Sequence, residues 1–229
     1  MTGRVAIVAG GTGALGQCVV SRILSAGATV CVPYAVPAEV EALRLRLSAA
    51  ATRFHAAPSD VTDEAAFGAF AKGVLDAHGR IDILVNGVGG FAAGDLASTT
   101  LADWHRMLTL NLTPAVIGTR AVLPAMTAAG FGRIVNVASR AVVPPMGGFI
   151  AYTVAKAGVV TLTQALAREV ARGITVNAVL PSTMDTPANR QAMPDADRSE
   201  WVSPDAVAEV IAYLASDSAG AVNGATIPV

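Results

Sequence analysis

The sequence predicts an α/β chain built on one doubly wound parallel sheet of about seven strands, with helices on both faces. Two patterns carry that prediction. Short runs rich in Val and Ile recur along the 229 residues and are apolar throughout rather than alternating, as strands covered on both faces are. Stretches of helical periodicity, roughly 10–20 residues long, fill the intervals between them.

The first run, at 5–8, leads into glycines at 10, 13 and 16 that open an amphipathic helical segment. A second run at 30–32 follows Gly27-Ala28, and a third lies near 53–56. The fourth, at 83–85, continues into Asn86-Gly87-Val88-Gly89. The fifth, at 134–137, leads to Ser139, and the next helical segment carries Tyr152 and Lys156. The sixth covers 174–179, and a last one near 225–229 completes the set. Between 182 and 203, prolines, polar residues, Met184, Met193 and Trp201 replace periodic pattern, which suits a mobile substrate lid. One domain over 1–229 accommodates everything, since α/β domains of roughly 200–250 residues are ordinary single units.

Sixteen basic against seventeen acidic residues give a formal net charge of −1 with no basic cluster, which argues against nucleic-acid and membrane-surface partners. Charged residues make up 14% and hydrophobic ones 53%, so apolar surface remains for subunit contacts. No charged-then-apolar leader precedes Val5 and no apolar run approaches the ~18 residues needed to span a bilayer, so a cytoplasmic protein is expected. Cys18 and Cys31 lack metal-ligand spacing and read as reduced core residues. His55, His78 and His105 read as ordinary surface or loop residues, and no metal site is expected.

The chemistry lies in two motifs. Tyr152 and Lys156 are four residues apart, so on a helix their side chains leave one face, while Ser139 lies thirteen residues upstream of the tyrosine. A phenol becomes a useful acid or base near neutrality when a neighbouring cation lowers its pKa, and a serine hydroxyl can hold the substrate oxygen. The set suits proton transfer to or from a carbonyl or alcohol. The glycines at 10, 13 and 16 allow a tight turn and close approach to a pyrophosphate, with helix N–H groups facing the anion. On these motifs the chain resembles the short-chain dehydrogenase/reductase family, in its compact single-domain branch with the Rossmann fold, from Gly10 to Gly224-Ala225-Thr226-Ile227-Pro228.

That resemblance implies NAD(P)-dependent oxidation and reduction of a small carbonyl or secondary alcohol. It implies Asn111, Ser139, Tyr152 and Lys156 as the catalytic set, with Asn111 fixing a water that links the lysine to solvent. It also implies a cofactor site built from Gly10, Thr12, Gly13, Leu15, Gly16, Tyr34, Asp60, Val61, Asn86, Gly87, Pro181, Thr183 and Thr186 together with Tyr152 and Lys156. Asp60-Val61 would flank the adenine, and the stretch from Pro181 to Thr186 would surround the nicotinamide amide. Three departures stand out: Ala14 replaces the usual middle glycine, Asn86-Gly87-Val88-Gly89 replaces Asn-Asn-Ala-Gly, and Pro181-Ser182 replaces Pro-Gly. Tyr34 and Ala35, where strand two should end, supply neither the carboxylate that marks NAD nor the arginine that marks NADP, and the missing repulsion favours NADP.

Plainer readings exist for several positions. Asn111 could cap a helix before Pro114, and Asp60 could cap the helix near Thr62-Asp63. Met184, Met193 and Trp201 could be packing rather than substrate contacts. Two other functions are conceivable: a dinucleotide-binding regulatory protein without turnover, and a dihydropteridine-reductase-like C=N reductase suggested by the glycine spacing and weakened by Ser139. The helices through Val116 and Ala121 and through Val159 and Leu166 carry more apolar and small positions than one buried stripe requires. By resemblance they would join subunits in a homodimer or homotetramer, with Ala121 and Thr163 at the contact.

Overall fold

The computed structural model describes residues 1–47 and 52–229. The strands are β1 (Val5–Ala9), β2 (Thr29–Tyr34), β3 (Phe54–Pro58), β4 (Ile83–Asn86), β5 (Gly132–Val137), β6 (Ile174–Leu180) and β7 (Thr226–Pro228). The helices are α1 (Ala14–Ser25), α2 (Pro37–Leu47), α3 (Glu64–His78), α4 (Leu101–Asn111), α5 (Thr113–Ala129), α6 (Ile150–Glu169), α7 (Pro187–Ala192) and α8 (Pro204–Leu214). All strands lie in one parallel sheet in the order β3-β2-β1-β4-β5-β6-β7.

Strand alternation sorts the core into two layers. Ala6 and Val8 of β1 pack with Val19 and Ile23 of α1, Leu43 of α2 and Ile211 of α8. Val5, Ile7 and Ala9 pack on the other face with Phe67 of α3 and Val122 and Met126 of α5. Because both faces are covered, no polar alternation is visible along the strands, which is why the runs read as continuous. The order reverses between β1 and β4, and that reversal opens a crevice at the carboxyl ends of the strands.

Side chains cap four of the helices: α3, α4, α7 and α8. Asp63 accepts from the Ala66 N–H, Thr100 from that of Asp103, Thr186 from that of Asn189 and Ser203 from that of Ala206. The helix expected near Asp60 therefore takes Asp63 as its cap, while Asp60 accepts from Thr62 N and Oγ1 at 2.8 and 2.7 Å. Helix α1, like α5 and α6, has no side-chain cap: Gly13 holds the cap position and no side chain bonds to its first-turn N–H groups.

Glycine is required in this turn for two separate reasons. Gly10 has φ of 81°, and a Cβ there would meet the Gly87 backbone at 2.9 Å. A Cβ on Gly16 would lie 1.9 Å from the Gly10 carbonyl oxygen, so α1 can start against the turn only with glycine at that position. Gly13 has no such constraint, its nearest neighbour being 3.5 Å from a Cβ, which leaves its open side for a ligand.

The amino end of the sheet is closed by charge. Asp82, 1% exposed, accepts from Arg80 at 2.6 and 2.7 Å, from Arg4 at 3.2 Å and from the Val5 N–H at 2.9 Å. Burial pushes this carboxyl up, but the two arginines and the N–H reverse that and hold it below the usual range. The guanidinium groups of Arg4 and Arg133 both lie over the Phe131 ring, at 3.5 and 4.3 Å.

Helix α6 corrects one expectation. By length and composition it could cross a bilayer, with a hydropathy of 1.2 over eighteen residues. Ala151, Ala155 and Val159 are buried and the helix packs on β5, β6 and α4, with 33% of that stretch buried.

Candidate active site

The end of strand β5 and helix α6 bring Ser139, Tyr152 and Lys156 together. The Lys156 side chain is buried, and its Nζ donates to the Val137 carbonyl at 2.8 Å. Burial pushes its ammonium down to about 8. Tyr152 leaves the same helix one turn earlier and is half-buried. Burial raises its phenol, and the neighbouring Ser139 hydroxyl pulls it back as a hydrogen-bond partner. The expected lowering by Lys156 is not found here: burial leads, and the ammonium is turned toward Val137. Ser139 Oγ accepts from the Ala141 N–H at 3.2 Å, which leaves its own proton for a substrate oxygen.

Asn111, the last residue of α4, is 3% exposed and does more than cap a helix. Its Nδ2 donates to the carbonyls of Gly90 and Met107 at 2.9 and 3.1 Å, and its Oδ1 accepts from the Gly90 N–H at 3.2 Å. A Cβ on Gly89 would lie 2.7 Å from that oxygen and 3.1 Å from Lys156 Nζ, so a side chain there would press on both asparagine and lysine. Gly90 lies outside the residues expected at the site, and Gly89 enters only as the end of the Asn86-Gly87-Val88-Gly89 segment; the signal is a glycine pair separated from β4 by two residues.

The residues expected to hold the cofactor are engaged to different degrees. Thr12 donates its hydroxyl to Glu39 Oε2 at 2.7 Å, and Leu15 is buried against the sheet. Gly87 donates to the Ala9 carbonyl at 3.0 Å, which seats the β4 loop against the glycine turn. Tyr34 ends β2 and accepts from Ser59 N, two residues before Val61, which packs toward α3. The Pro181 carbonyl accepts from Arg140 N, and that of Thr183 accepts from Val202 N. Thr186 is engaged as the cap of α7. The start of α1 and the start of α7 face each other across a cavity of about 490 Å³ lined by Ala14, Gln17, Thr186 and Pro187. An uncapped helix start, a glycine turn without side chains and an adjoining cavity together fit a dinucleotide.

One site residue is placed otherwise than expected. Asn86 points away from the crevice into the α5–α6 layer, because it pairs in register with Asn136 on β5. Its Nδ2 donates to Asn136 Oδ1 at 2.8 Å, Asn136 donates to Thr163 Oγ1 at 2.9 Å, and Thr163 donates to the Val159 carbonyl at 2.8 Å. Its side chain belongs to the core. In the segment from 182 to 203, Met184 bridges to Val202 and packs on the sheet layer, whereas Met193 is exposed and Trp201 lies under Arg198. His55 and His78 lie on β3 and α3 with ring centroids 4.9 Å apart; among the described residues, no group of three or more His, Cys, Asp or Glu is placed to hold a metal.

Lys156 gives a stability test with a definite sign. Its pKa is lower folded, about 8, than unfolded, so between these values the unfolded chain binds the extra proton and stability rises with pH. Below about 8 the buried charge is a full penalty of up to about 3 kcal/mol, partly offset by the Val137 bond. Relative to the wild-type chain, Lys156→Met should be favoured most below pH 8, with the difference narrowing toward pH 10. Urea unfolding of both proteins across that range checks this, and a pH-independent difference would contradict it.

Comparison with known proteins agrees with this geometry. Residues 4–197 match the family model described as short chain dehydrogenase. The chain is 37% identical over 236 residues to the (2S)-[(R)-hydroxy(phenyl)methyl]succinyl-CoA dehydrogenase subunit BbsD of Thauera aromatica, covering 99% of this chain and 94% of that protein. Levodione reductase has the same fold with a TM-score of 0.92 and 28% identity, over 100% of this chain and 96% of that one. Actinorhodin polyketide ketoreductase with NADPH gives a TM-score of 0.91 and 31% identity, over 99% of this chain and 95% of that one. Fold, glycine turn, serine–tyrosine–lysine cluster and relatives agree: the chain belongs to the short-chain dehydrogenase family of oxidoreductases.

Proposed function

We propose that the protein transfers a hydride between a nicotinamide dinucleotide and a carbonyl or secondary alcohol, with Tyr152 as general acid and base. The observation that carries this reading is the convergence of Tyr152, Ser139 and buried Lys156 over the end of β5. Two relatives support the substrate class: one is named a hydroxy(phenyl)methyl-succinyl-CoA dehydrogenase, hence acts on a secondary alcohol, and the other is a ketoreductase.

When bound, the nicotinamide supplies or accepts the hydride. The turn from Gly10 to Gly16 and the start of α1 would hold the pyrophosphate, Tyr34, Asp60 and Val61 the adenosine end, and Pro181 to Thr186 the carboxamide. In reduction, Tyr152 Oη gives its proton to the carbonyl oxygen while Ser139 Oγ donates a hydrogen bond to it; oxidation reverses both. Lys156 would hold the ribose hydroxyls and relay the proton, and Asn111 would place the water that leads it to solvent. Ser139 stands against the turnover-free and dihydropteridine-type alternatives. The free thiols of Cys18 and Cys31, the latter pushed up to about 11 by burial, suit a cytoplasmic setting.

For the cofactor, Tyr34 and Ala35 at the end of β2 offer no repulsion to an extra phosphate, which supports NADP(H). A second reading, NAD(H), is favoured by one observation: Glu39 of α2 places a carboxylate on Thr12 of the glycine turn at 2.7 Å. Assembly is part of the same reading. On the outer faces of α5 and α6, Val116 and Val154 are exposed, which suits a homodimer or homotetramer. Thr163, expected at that contact, is buried in the Asn136 network, so a charge there would disturb the core instead.

Three measurements test these statements. Tyr152→Phe should lower turnover at least ~100-fold with NADPH affinity within about twofold, because the proton donor is lost while the ring remains; surviving turnover of a carbonyl panel would overturn the mechanism. Glu39→Gln should shift the ratio of NADPH to NADH affinities about fivefold toward NADPH if the carboxylate faces the adenosine ribose, and an unchanged ratio in fluorescence titrations removes the NAD(H) reading. Light scattering should give a dimer or tetramer mass that Val116→Glu lowers; a wild-type monomer sinks the assembly.

A further inference from the structure

Three aromatic rings meet at the reacting tyrosine. The centroid of Phe91, in the loop after β4, lies 5.2 Å from that of Tyr152 at an interplanar angle of 71°, and 5.4 Å from Phe149 at 56°. Phe149, at the cap position of α6, lies 6.1 Å from Tyr152 at 69°. Both contacts with Tyr152 are edge-to-face, ring edge meeting ring face, while the two phenylalanines are tilted against each other. The cluster is not an accident of loose chain, because backbone bonds clip the two loops together: Gly94 N donates to the Gly148 carbonyl at 2.8 Å, and Ile150 N to the Gly94 carbonyl at 3.0 Å. Phe91 and Phe149 are thus held on either side of that clip.

The cluster is also open. Phe91 is 62% exposed, and in the loop between Ser139 and Tyr152 the apolar Val143 and Met146 are 56% and 52% exposed. An aromatic ring set beside the proton donor on a clipped stretch of backbone, and left mostly uncovered, has apolar faces and edges free to receive the group next to a substrate carbonyl. Neither phenylalanine is needed for the proton transfer itself, which Tyr152, Ser139 and Lys156 account for.

We propose that Phe91 and Phe149 form an aromatic wall that selects ketones carrying a flat ring next to the carbonyl, and the corresponding benzylic-type alcohols. The proposal rests on the oxidoreductase reading for the position of the carbonyl, but its recognition step can be measured without turnover. A planar ring seated on the wall completes the edge-to-face set, whereas a flexible alkyl chain gains contact area without that geometry and loses rotamer freedom on ordering. Phe149, half-buried, orients Phe91; Phe91 makes the direct contact.

The test uses two ketones of equal carbon number, acetophenone and 2-octanone, with the wild-type chain and the variants Phe91→Leu and Phe91→Ala. Dissociation constants come from ligand-observed NMR in the presence of saturating oxidised cofactor, and again without cofactor. Phe91→Leu should weaken acetophenone about fivefold or more while 2-octanone stays within twofold, because apolar area is kept and the ring lost. Phe91→Ala should weaken both, acetophenone more. Since Phe91 is largely exposed, unchanged circular dichroism should accompany both variants. Equal weakening of the two ketones by Phe91→Leu, or no weakening of either, overturns the wall, even if both ketones are reduced. Ring-dependent binding with no reduction of any ketone or alcohol leaves the wall standing and overturns the oxidoreductase reading instead.

Discussion

Burying the Lys156 ammonium against the end of β5 is the constraint around which the site is arranged. A charge that deep needs a partner, and the Val137 carbonyl supplies it at 2.8 Å. Two turns further along the same helix, Thr163 accepts from Asn136, the residue just before Val137. Helix α6 is therefore fixed to β5 at two polar points, one of them charged. Apolar packing of Ala155 and Val159 alone would tolerate sliding or rotation of the helix, whereas the two polar bonds can be made together in one register only. With that register set, Tyr152 falls beside Ser139 and Gly89 lies close to both Asn111 and the lysine.

What the sequence revealed was whatever depends on local pattern. The strands were legible because runs buried on both faces lack alternation, and the Tyr152–Lys156 pairing because four residues are one helical turn. Strand ends were read short at Asn86 and Tyr34, since a polar or amphipathic residue can continue a ladder without continuing an apolar run. What stayed hidden depends on distant partners. Asn86 faces the core because β5 places Asn136 opposite it, and no feature near residue 86 encodes that. Thr163 is inside for the same reason, although small polar residues on a long helix usually face outward. Glu39 reaches the glycine turn from a separate helix, and Phe91 is a single aromatic in a loop whose position is set by a clip to Gly148. Asp60 and Asp63 are both plausible caps by composition; the path of the chain selects Asp63.

The glycines of the first turn show how one motif can combine unrelated requirements. Gly10 answers to backbone conformation and to the β4 loop, Gly16 to the close approach of helix and turn, and Gly13 to neither. Only the last is free to serve a ligand alone. The family's usual middle glycine is Ala14 here, at the exposed first position of α1, where a methyl group is accommodated.

The opposite end of the sheet is organised on another principle. There Asp82, Arg4, Arg80, Arg133 and the Phe131 ring form a closed charge-and-ring cluster at the strand starts, remote from the crevice. Its members answer to one another, so a change in one is felt by all. The loops at the other end hang from strand termini that this cluster already holds in place. The molecule is thus polarised like a plant with root and crown: sequence can drift where the loops branch, giving new selectivities on an old frame, while drift at the base would register as lost folding rather than altered chemistry.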